Sequence, residues 1–264
     1  MNYVLTGSCG LIGSSLHKRL EARGDKAVGL IDMRGKPHYA DIREMGDWHT
    51  KAQIDIMYHL ASFCKINESI KFPEKAFEHN VRGTYEVMRF CCRHNIPKIV
   101  FTSSTRVLYA EKNPYTASKV YGEEIVKSHE MEYVIIRPST VYGPHWDETK
   151  RLIRIWITAA IRGEELKIFG DENKTLDFTY IDDFIDVFLQ ASTYTNKEFN
   201  IGSGKETLLR DVAQYIIDIV GKGSIGYYPA EKLQPQNVVI DTDFPCNTNI
   251  KDGLDKTIEF YLNN

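Results

Sequence analysis

The 264-residue sequence predicts an α/β protein with a doubly wound parallel sheet, followed by a smaller C-terminal lobe. Short β-type apolar runs alternate with longer segments of helical periodicity, which is typical of a parallel sheet covered by helices on both faces. After Pro144 the alternation gives way to helices separated by short polar segments. We therefore expect one domain over residues 1–144 and a lobe over residues 145–264, with a segment near 176–202 returning to the first domain.

The predicted elements follow one another at a regular pitch. Strands are expected at residues 3–6, 27–31, 54–60, 99–103 and 133–137. Helices are expected at residues 11–23, 73–94 and 115–129, and in the second part of the chain at 150–162, 184–191 and 209–220. In open α/β sheets, ligands bind at the carboxyl ends of the strands, so polar residues there are the first candidates for a site.

Composition excludes several classes of partner. The net charge of −3 leaves no cationic surplus for nucleic acid or for an anionic membrane surface. No apolar stretch approaches the ~18 residues of a membrane span, and the N-terminus does not look like a signal peptide, so we expect a cytoplasmic protein. The cysteines are odd in number and suggest no disulfide framework. They are Cys9, Cys64, Cys91, Cys92 and Cys246.

The first chemical motif is a glycine-rich turn between the first predicted strand and helix. Gly7, Gly10 and Gly13 let the backbone turn tightly and approach a pyrophosphate at the helix N-terminus. The spacing differs from the G-x-G-x-x-G fingerprint, which leaves a simple strand-to-helix turn as the alternative. Asp32, about 20 residues on, favours a dinucleotide, because a carboxylate there accepts hydrogen bonds from the ribose. Its charge favours NAD over NADP, whereas Arg34 leaves NADP open.

The second motif is a tyrosine and a lysine four residues apart. Tyr115 and Lys119 lie on one face of a predicted helix, and Ser104 follows a predicted strand. A neighbouring cation favours the phenolate form of a tyrosine, and a serine hydroxyl can bind the same substrate oxygen. These groups suit hydride transfer to or from a nicotinamide. The alternative is an ordinary surface pair on an amphipathic helix.

Taken together, these motifs resemble the extended short-chain dehydrogenases/reductases, specifically the NAD-dependent sugar epimerase/dehydratase group that includes UDP-galactose 4-epimerase. The resemblance covers nearly the whole chain and implies a Rossmann-like NAD-binding domain with a substrate-binding lobe. It implies catalytic roles for Ser104, Tyr115 and Lys119. The implied cofactor residues are Gly7, Gly10, Leu11, Ile12, Gly13, Asp32, Arg34, Asp41, Ile42, Leu60, Ala61, Ser62, Asn80, Tyr115, Lys119 and Pro138. The implied substrate residues are Cys64, Ser104, Thr105, Tyr115, Lys174 and Lys232.

Two departures from the family pattern bear on the reaction and on the substrate. Dehydratases of the family carry an Asp-Glu pair after the catalytic hydroxyl, where this chain has Thr105 and Arg106. A guanidinium cannot act as acid or base near neutral pH, so elimination of water is disfavoured. The arginine that usually contacts the substrate diphosphate is replaced by Leu176, which leaves Lys174 and Lys232 as candidate cations without bidentate geometry.

Other polar clusters are interpreted as structural. Cys91, Cys92 and His94 lie on an apolar helix without a second ligand pair, so we expect no metal. Asp182 and Asp183 are predicted to cap the helix at 184–191.

The sequence favours an NAD-dependent epimerase of a sugar, most simply a nucleotide-activated one. An NAD(P)H-dependent ketoreductase uses the same three catalytic groups and is the first alternative. A non-catalytic dinucleotide sensor or scaffold is the second, and the intact catalytic set argues against it. The family resemblance also implies a homodimer formed through the helices at 73–94 and 115–129.

Overall fold

The computed structural model describes residues 1–33, 40–146 and 151–264. The chain forms two compact units. The first comprises Met1–Pro138 with Phe188–Phe199, and the second comprises Ser139–Val187 with Asn200–Asn264. The first unit thus ends before the predicted boundary at 144, and the segment that rejoins it is shorter than the predicted 176–202. The assignment of separate domains stays a prediction.

A six-stranded sheet organises the first unit. Its strands are β1 (Asn2–Thr6), β2 (Lys26–Ile31), β3 (Ile56–His59), β4 (Lys98–Thr102), β5 (Glu132–Pro138) and β10 (Lys197–Ile201). Their order is β10-β5-β4-β3-β1-β2, and the pairs β1–β2, β1–β3, β3–β4 and β4–β5 are parallel. Because the order reverses beside β1, the carboxyl ends of β1 and β3 flank a topological switch point. The predicted α/β fold is confirmed.

Helices and short turns connect these strands. They are α1 (Leu11–Ala22), α2 (Ile66–Lys71), α3 (Pro73–Ala76), α4 (Gly83–Arg93) and α5 (Pro114–Lys127), with 3-10 turns at Ile42–Asp47 and Thr105–Leu108. The helix predicted at 73–94 is not uniform, because a π-helical segment, Phe77–Arg82, separates α3 from α4. π-Helical segments are rare in proteins, and those that occur are often found at functional sites. Periodicity alone does not detect them, since neighbouring helical turns continue the pattern.

The core of the first unit lies between the sheet and its helices. Strand residues such as Val4, Met57 and Ile99 pack there with Val87 and Phe90 of α4. Cys91 belongs to the same core, and burial raises the pKa of its thiol. Cys92 is exposed, and the Nε2 of His94 lies 3.3 Å from the carbonyl oxygen of Trp48.

The second unit contains small sheets and longer helices. Its strands are β6 (Thr140–Tyr142), β7 (Glu165–Phe169), β8 (Thr175–Leu176), β9 (Phe178–Tyr180), β11 (Thr207–Leu208), β12 (Ser224–Tyr228) and β13 (Asn237–Val238). They pair as β11-β8-β13, β12-β7 and β6-β9. The helices of this unit are α6 (Leu152–Ile161), α8 (Leu209–Val220) and α9 (Ile250–Asn263), together with α7 (Ile181–Ala191) as far as Val187. Among the described residues, no helix is long and apolar enough to cross a membrane.

The predicted cap at Asp182 and Asp183 is wrong. Helix α7 already begins at Ile181, so both carboxylates lie in its first turn. Asp183 instead accepts hydrogen bonds from the backbone N–H and the hydroxyl of Thr248, at 2.6 and 2.7 Å. Asp183 therefore holds the segment that precedes α9. Its partner is 65 residues away, so a local sequence pattern cannot predict this contact.

Candidate active site

The glycine-rich turn follows β1 and leads directly into α1. Gly7 has a φ of +75°, and a Cβ on it would lie 2.8 Å from the backbone nitrogen of Ala61. At Gly13 a Cβ would collide with the carbonyl of Gly7. Gly7 therefore permits both a left-handed backbone and close contact with the chain after β3, and Gly13 lets α1 pack against the turn. Both glycines are required by the backbone path, as the sequence predicted.

The start of α1 suits an anionic group. Gly10 is its N-cap residue, and Leu11-Ile12-Gly13-Ser14 supplies no acidic side chain in the first turn. The first N–H groups of a helix have no partner within the helix and carry partial positive charge. Phosphate groups bind at such helix ends without further cations. This turn therefore fits the pyrophosphate of a dinucleotide.

Asp32 is placed where a ribose is expected. It directly follows β2, is only 6% exposed, and its Oδ2 accepts a hydrogen bond of 3.0 Å from the backbone N–H of Cys9. The carboxylate is thus held against the glycine-rich turn by the turn's own backbone. Arg34, the residue that leaves NADP open, lies outside the described residues.

Asp41 is engaged by a neighbouring cation. Its Oδ1 caps the 3-10 turn by accepting from the backbone N–H of Arg43 at 2.9 Å. The Arg43 Nε lies 2.9 Å from its Oδ2, and this guanidinium is one of the contacts that hold the pKa of Asp41 below its usual range. Ile42 is buried beside Gly83 of α4. The expected contact of Asp41 with adenine stays a prediction, and it would be shared with Arg43.

The chain after β3 is fastened to β1. The hydroxyl of Thr6 accepts from the backbone N–H groups of Leu60 and Ala61, each at 3.1 Å. The same hydroxyl lies 2.7 Å from Nδ1 of His59, whose Nε2 lies 3.0 Å from the hydroxyl of Thr84. Burial lowers the pKa of His59 to about 3, so the ring is neutral. Its two nitrogens link Thr6 of β1 to Thr84 of α4. Thr6 and His59 lie within the strands predicted at 3–6 and 54–60, and no motif indicated a role for their side chains.

Asn80 ties that loop to α5 from within the π-helical segment. Its Oδ1 accepts from the N–H of Phe63 at 2.7 Å and from the hydroxyl of Ser62 at 3.2 Å. Its Nδ2 donates to the carbonyl of Phe63 at 3.0 Å and to the hydroxyl of Ser118 at 2.8 Å. The amide therefore uses both ends to link three segments of the chain. Whether Asn80 also touches the cofactor stays a prediction.

Two of the three catalytic candidates lie on α5, and the third follows the end of β4. Tyr115 and Lys119 are one turn apart on α5 and are 8% and 3% exposed. Lys119 Nζ donates to the carbonyl of Thr102, at the end of β4, over 2.8 Å. Ser104 follows two residues later, and its Oγ accepts from the N–H of Arg106 at 3.2 Å. The structure therefore brings the helix that carries Tyr115 and Lys119 against the strand end that leads to Ser104.

The ammonium of Lys119 is held in a nearly dry environment. Burial lowers its pKa to about 8, and the nearby Cys64 and Glu123 oppose that effect. Its Nζ also lies 5.1 Å from the centre of the Phe101 ring. An ammonium this poorly solvated is pre-organised to interact with a nearby oxygen, because little water competes for it.

Glu123 is a residue of this region that sequence reasoning missed. It lies one turn beyond Lys119 on α5 and is 4% exposed. Its carboxylate accepts from the hydroxyl of Ser103 at 2.6 Å and from Arg137 of β5 at 2.8 and 2.5 Å. Lys119 and Glu123 thus fasten α5 to Thr102, the last residue of β4, and to Ser103, which follows it. The four-residue spacing was visible in the sequence, but the partners were not.

One buried hydroxyl supports the presence of a polar ligand. The Oγ1 of Thr102 is buried and makes no hydrogen bond to the described part of the protein. A buried polar group without a partner is costly, and it is usually satisfied by water or a ligand. Thr102 is the last residue of β4, and its own backbone carbonyl accepts the hydrogen bond from Lys119. Together with the anion-suited start of α1, this group fits a dinucleotide.

The remaining candidates are dispersed over both units. In the first unit Cys64 is exposed, Thr105 is buried beside Ser104, and Pro138 ends β5. In the second unit Lys174 is 8% exposed and its ammonium donates to the carbonyl of Phe169 at 2.6 Å. Leu176 is buried in β8, and Lys232 is exposed. Lys174 therefore already serves a structural contact.

Comparison with known proteins gives one family. Residues 3–202 match the family described as "NAD dependent epimerase/dehydratase family". The UDP-glucose 4-epimerase of Mycolicibacterium smegmatis is 27% identical over 310 residues, which cover 100% of this chain and 99% of that protein.

Solved structures show the same fold. The structure of UDP-glucose 4-epimerase from Thermotoga maritima with UDP-glucose has a TM-score of 0.90 at 22% identity, covering 100% of this chain and 99% of that one. The Thermus thermophilus UDP-glucose 4-epimerase in complex with NAD has a TM-score of 0.91 at 20% identity, covering 99% of each chain. At these identities the likeness concerns the fold alone.

Proposed function

The chain belongs to the NAD dependent epimerase/dehydratase family, and from this premise we propose that it epimerises a nucleotide-activated sugar. Membership makes it an enzyme with NAD as cofactor. The observation that carries the proposal is the buried pair Tyr115 and Lys119, with the Lys119 ammonium bonded to the strand end that leads to Ser104.

Each catalytic residue has one task in this proposal. Tyr115 takes the proton of the reacting sugar hydroxyl and later returns it, as a general base and then acid. Ser104 hydrogen-bonds the same sugar oxygen and keeps it in line with the phenol. Lys119 stabilises the phenolate, since a buried cation favours the nearby anion. When bound, NAD supplies a reversible acceptor for the hydride of the ring carbon.

Epimerisation fits the residues after Ser104 better than elimination of water. Elimination needs an additional acid and base beside the sugar. Thr105 and Arg106 occupy those positions, and neither side chain exchanges a proton near neutral pH. The backbone N–H of Arg106 instead donates to the Ser104 hydroxyl at 3.2 Å and orients it.

The proposed substrate is a nucleotide sugar, because the similar proteins named above are UDP-glucose 4-epimerases. Of the two cations suggested for its diphosphate, Lys174 already binds the Phe169 carbonyl. The exposed Lys232 is therefore the better candidate. Its replacement by alanine should raise KM for the sugar nucleotide more than it lowers kcat, since phosphate contacts persist through the reaction.

The proposal extends to assembly and location. Apolar side chains are exposed along the π-helical segment, α4 and α5, which supports the homodimer that the sequence predicts. No disulfide links the cysteines of the described residues, which fits the reduced thiols and the cytoplasmic location that the sequence predicts.

The decisive experiment measures conversion of UDP-glucose to its 4-epimer by the purified protein without added cofactor, followed by a panel of other nucleotide sugars. Tyr115→Phe should lower turnover by ~10²–10⁴-fold, because the positioned acid–base group is lost. Tyr121→Phe is the matched control, since this tyrosine lies on the same helix and is 58% exposed. Both variants should still bind NAD.

Three results would contradict the proposal. Stoichiometric consumption of NADH or NADPH would identify a reductase. Normal turnover by Tyr115→Phe would reject the acid–base role of this residue. Binding of NAD with no conversion of any nucleotide sugar would favour the sensor hypothesis.

A further inference from the structure

The first turn of α5 is held by residues from two different elements. An α-helix begins with N–H groups that have no partner inside the helix. Here the first residue is Pro114, which has no N–H, and the N–H of Thr116 binds the Asn113 side chain at 2.9 Å. The remaining one, the N–H of Tyr115, is 3.2 Å from the hydroxyl oxygen of Ser69.

Ser69 is oriented for this contact. It lies on α2, 46 residues before Tyr115, and is fully buried. Its hydroxyl proton is donated to the carbonyl of Ile66 at 2.6 Å. The oxygen lone pairs are then left to accept, and the Tyr115 N–H is the donor that approaches them.

We propose that Ser69 is a positioning residue of the reaction, which fixes the backbone of Tyr115 and thereby the place of its phenol. The inference rests on the proposed function. The carbonyl of Tyr115 is held from the other side, because Ser118 donates to it at 2.7 Å and is itself bonded by Asn80. Ser69 binds the backbone N–H of Tyr115, so both polar groups of this peptide backbone have a side-chain partner.

The position of Tyr115 in the helix makes the contact matter for chemistry. A residue in the first turn is the first to move when a helix end frays. Proton transfer requires donor and acceptor within hydrogen-bond reach, and a misplacement of about 1 Å can cost about 10²-fold in rate. Lys119, one turn further on, is anchored by its own bond to Thr102. Loss of Ser69 would therefore displace Tyr115 relative to Lys119.

The test compares Ser69→Ala with Ser192→Ala. Ser192 is a close match: it is 7% exposed, and its hydroxyl donates to the carbonyl of Phe188 at 2.6 Å. Both substitutions remove a buried hydroxyl that donates to a backbone carbonyl three or four residues earlier in the chain, but only Ser69 touches Tyr115. We expect kcat to fall by about 10- to 100-fold in Ser69→Ala, with KM within twofold of wild type. Ser192→Ala should keep wild-type kcat.

Amide hydrogen exchange supplies a readout that does not depend on turnover. Peptides covering the first turn of α5 should exchange faster in Ser69→Ala and at the wild-type rate in Ser192→Ala. Ser69→Cys fills the same space with a weak acceptor, so it should keep the fold while kcat still falls.

The possible failures are separable. A wild-type protein that turns over no nucleotide sugar rejects the proposed function and this role of Ser69 with it. If the wild-type protein turns over a nucleotide sugar and kcat is unchanged in Ser69→Ala and Ser69→Cys, the role of Ser69 is rejected and the proposed function stands. Unchanged exchange at the start of α5 in Ser69→Ala also overturns it.

Discussion

At the scale of single residues, burial makes Lys119 and Asp32 unusually sensitive probes of the site. Each is a charged group that is less than a tenth exposed. Each is bonded to backbone, Lys119 to the carbonyl of Thr102 and Asp32 to the N–H of Cys9. Little water surrounds such a group, so its substitution changes its electrostatic interactions with neighbouring groups more than substitution of an exposed charge would.

The first prediction concerns the proton of Lys119. Its pKa of about 8 lies below the ~10.4 of an exposed lysine. Below pH 8 the ammonium is charged in both states, and its burial lowers the free energy of unfolding. Between pH 8 and about 10.4 the folded protein releases a proton that the unfolded chain keeps, so stability rises with pH. In cofactor-free protein, the free energy of unfolding of wild type minus that of Lys119→Met should rise by about 3 kcal/mol over this range.

Urea unfolding at pH 7 and near pH 10.5 measures this difference. Lys127→Met is the control, because Lys127 lies on the same helix and its ion pair with Glu124 raises its pKa. The wild-type minus Lys127→Met difference should not rise over the same interval. A flat difference for Lys119→Met would show that this side chain is solvated.

The second prediction concerns cofactor choice at Asp32. NAD should bind more tightly than NADP, because the carboxylate repels a 2′-phosphate. Asp32→Asn keeps an acceptor for the Cys9 N–H but removes the charge. It should therefore lower the ratio of the NADP and NAD dissociation constants by about tenfold or more, which corresponds to roughly 1.4 kcal/mol. Asp32→Ala should narrow it too, and it should also weaken NAD binding because the Cys9 N–H loses its partner. Calorimetric titration of both dinucleotides measures this, and a wild-type preference for NADP would contradict it.

At the scale of elements, the π-helical segment joins the loop after β3 to α5. Its Asn80 amide is 3% exposed and makes four hydrogen bonds, two of them to the backbone of Phe63. Because the same loop follows β3 at the switch point, α5 and the strand ends are connected through one side chain. Element packing thus depends on a contact that secondary-structure propensity does not describe.

The third prediction tests that connection. Asn80→Ala should lower the free energy of unfolding by about 2–4 kcal/mol, since partly buried backbone groups of Phe63 and the buried hydroxyl of Ser118 lose a partner. Asn263→Ala, at the exposed end of α9, should change it by less than about 0.5 kcal/mol. Urea unfolding of both variants gives the comparison. If Asn80→Ala lowers the free energy of unfolding as little as Asn263→Ala does, water replaces the hydrogen bonds of the Asn80 amide.

At the scale of the whole molecule, exposed apolar side chains of the first unit are the basis of the predicted homodimer. Phe77, Tyr85, Val120 and Tyr121 are 56%, 49%, 37% and 58% exposed. They lie on the π-helical segment, α4 and α5, the helices that the sequence predicts at a dimer interface. Exposed apolar side chains grouped on neighbouring elements typically mark a protein interface.

The fourth prediction is a homodimer. Light scattering at micromolar concentration should give about twice the 30.3 kDa mass of one chain. Tyr85→Glu should shift the mass to that of a monomer, because a carboxylate in an apolar interface loses its hydration. Leu262→Glu is the control, since this residue is 53% exposed on α9. A monomer mass for wild type would reject the prediction.

Short sequence patterns predicted much of the fold and part of the candidate site. The alternation of elements, the need for Gly7 and Gly13, and the spacing of Tyr115 and Lys119 each depend on neighbours in the chain. The contacts of Ser69 and Glu123 could not be predicted, because their partners Tyr115 and Ser103 are 46 and 20 residues away. The cap predicted at Asp182 and Asp183 was wrong because α7 begins at Ile181, and the partner of Asp183, Thr248, is 65 residues away.

The sequence by itself determined which chemical groups are present and which stretches form strands or helices, because backbone geometry and residue spacing act over a few residues. Only the tertiary structure decided what each group binds. Strand order sets β4 beside β3 and β5, which lets Lys119 reach Thr102 and lets Glu123 meet Arg137. Burial, which lowers the pKa of Lys119, likewise arises only when distant segments pack together. A side chain's chemistry is local, whereas its partners and its solvation depend on the fold.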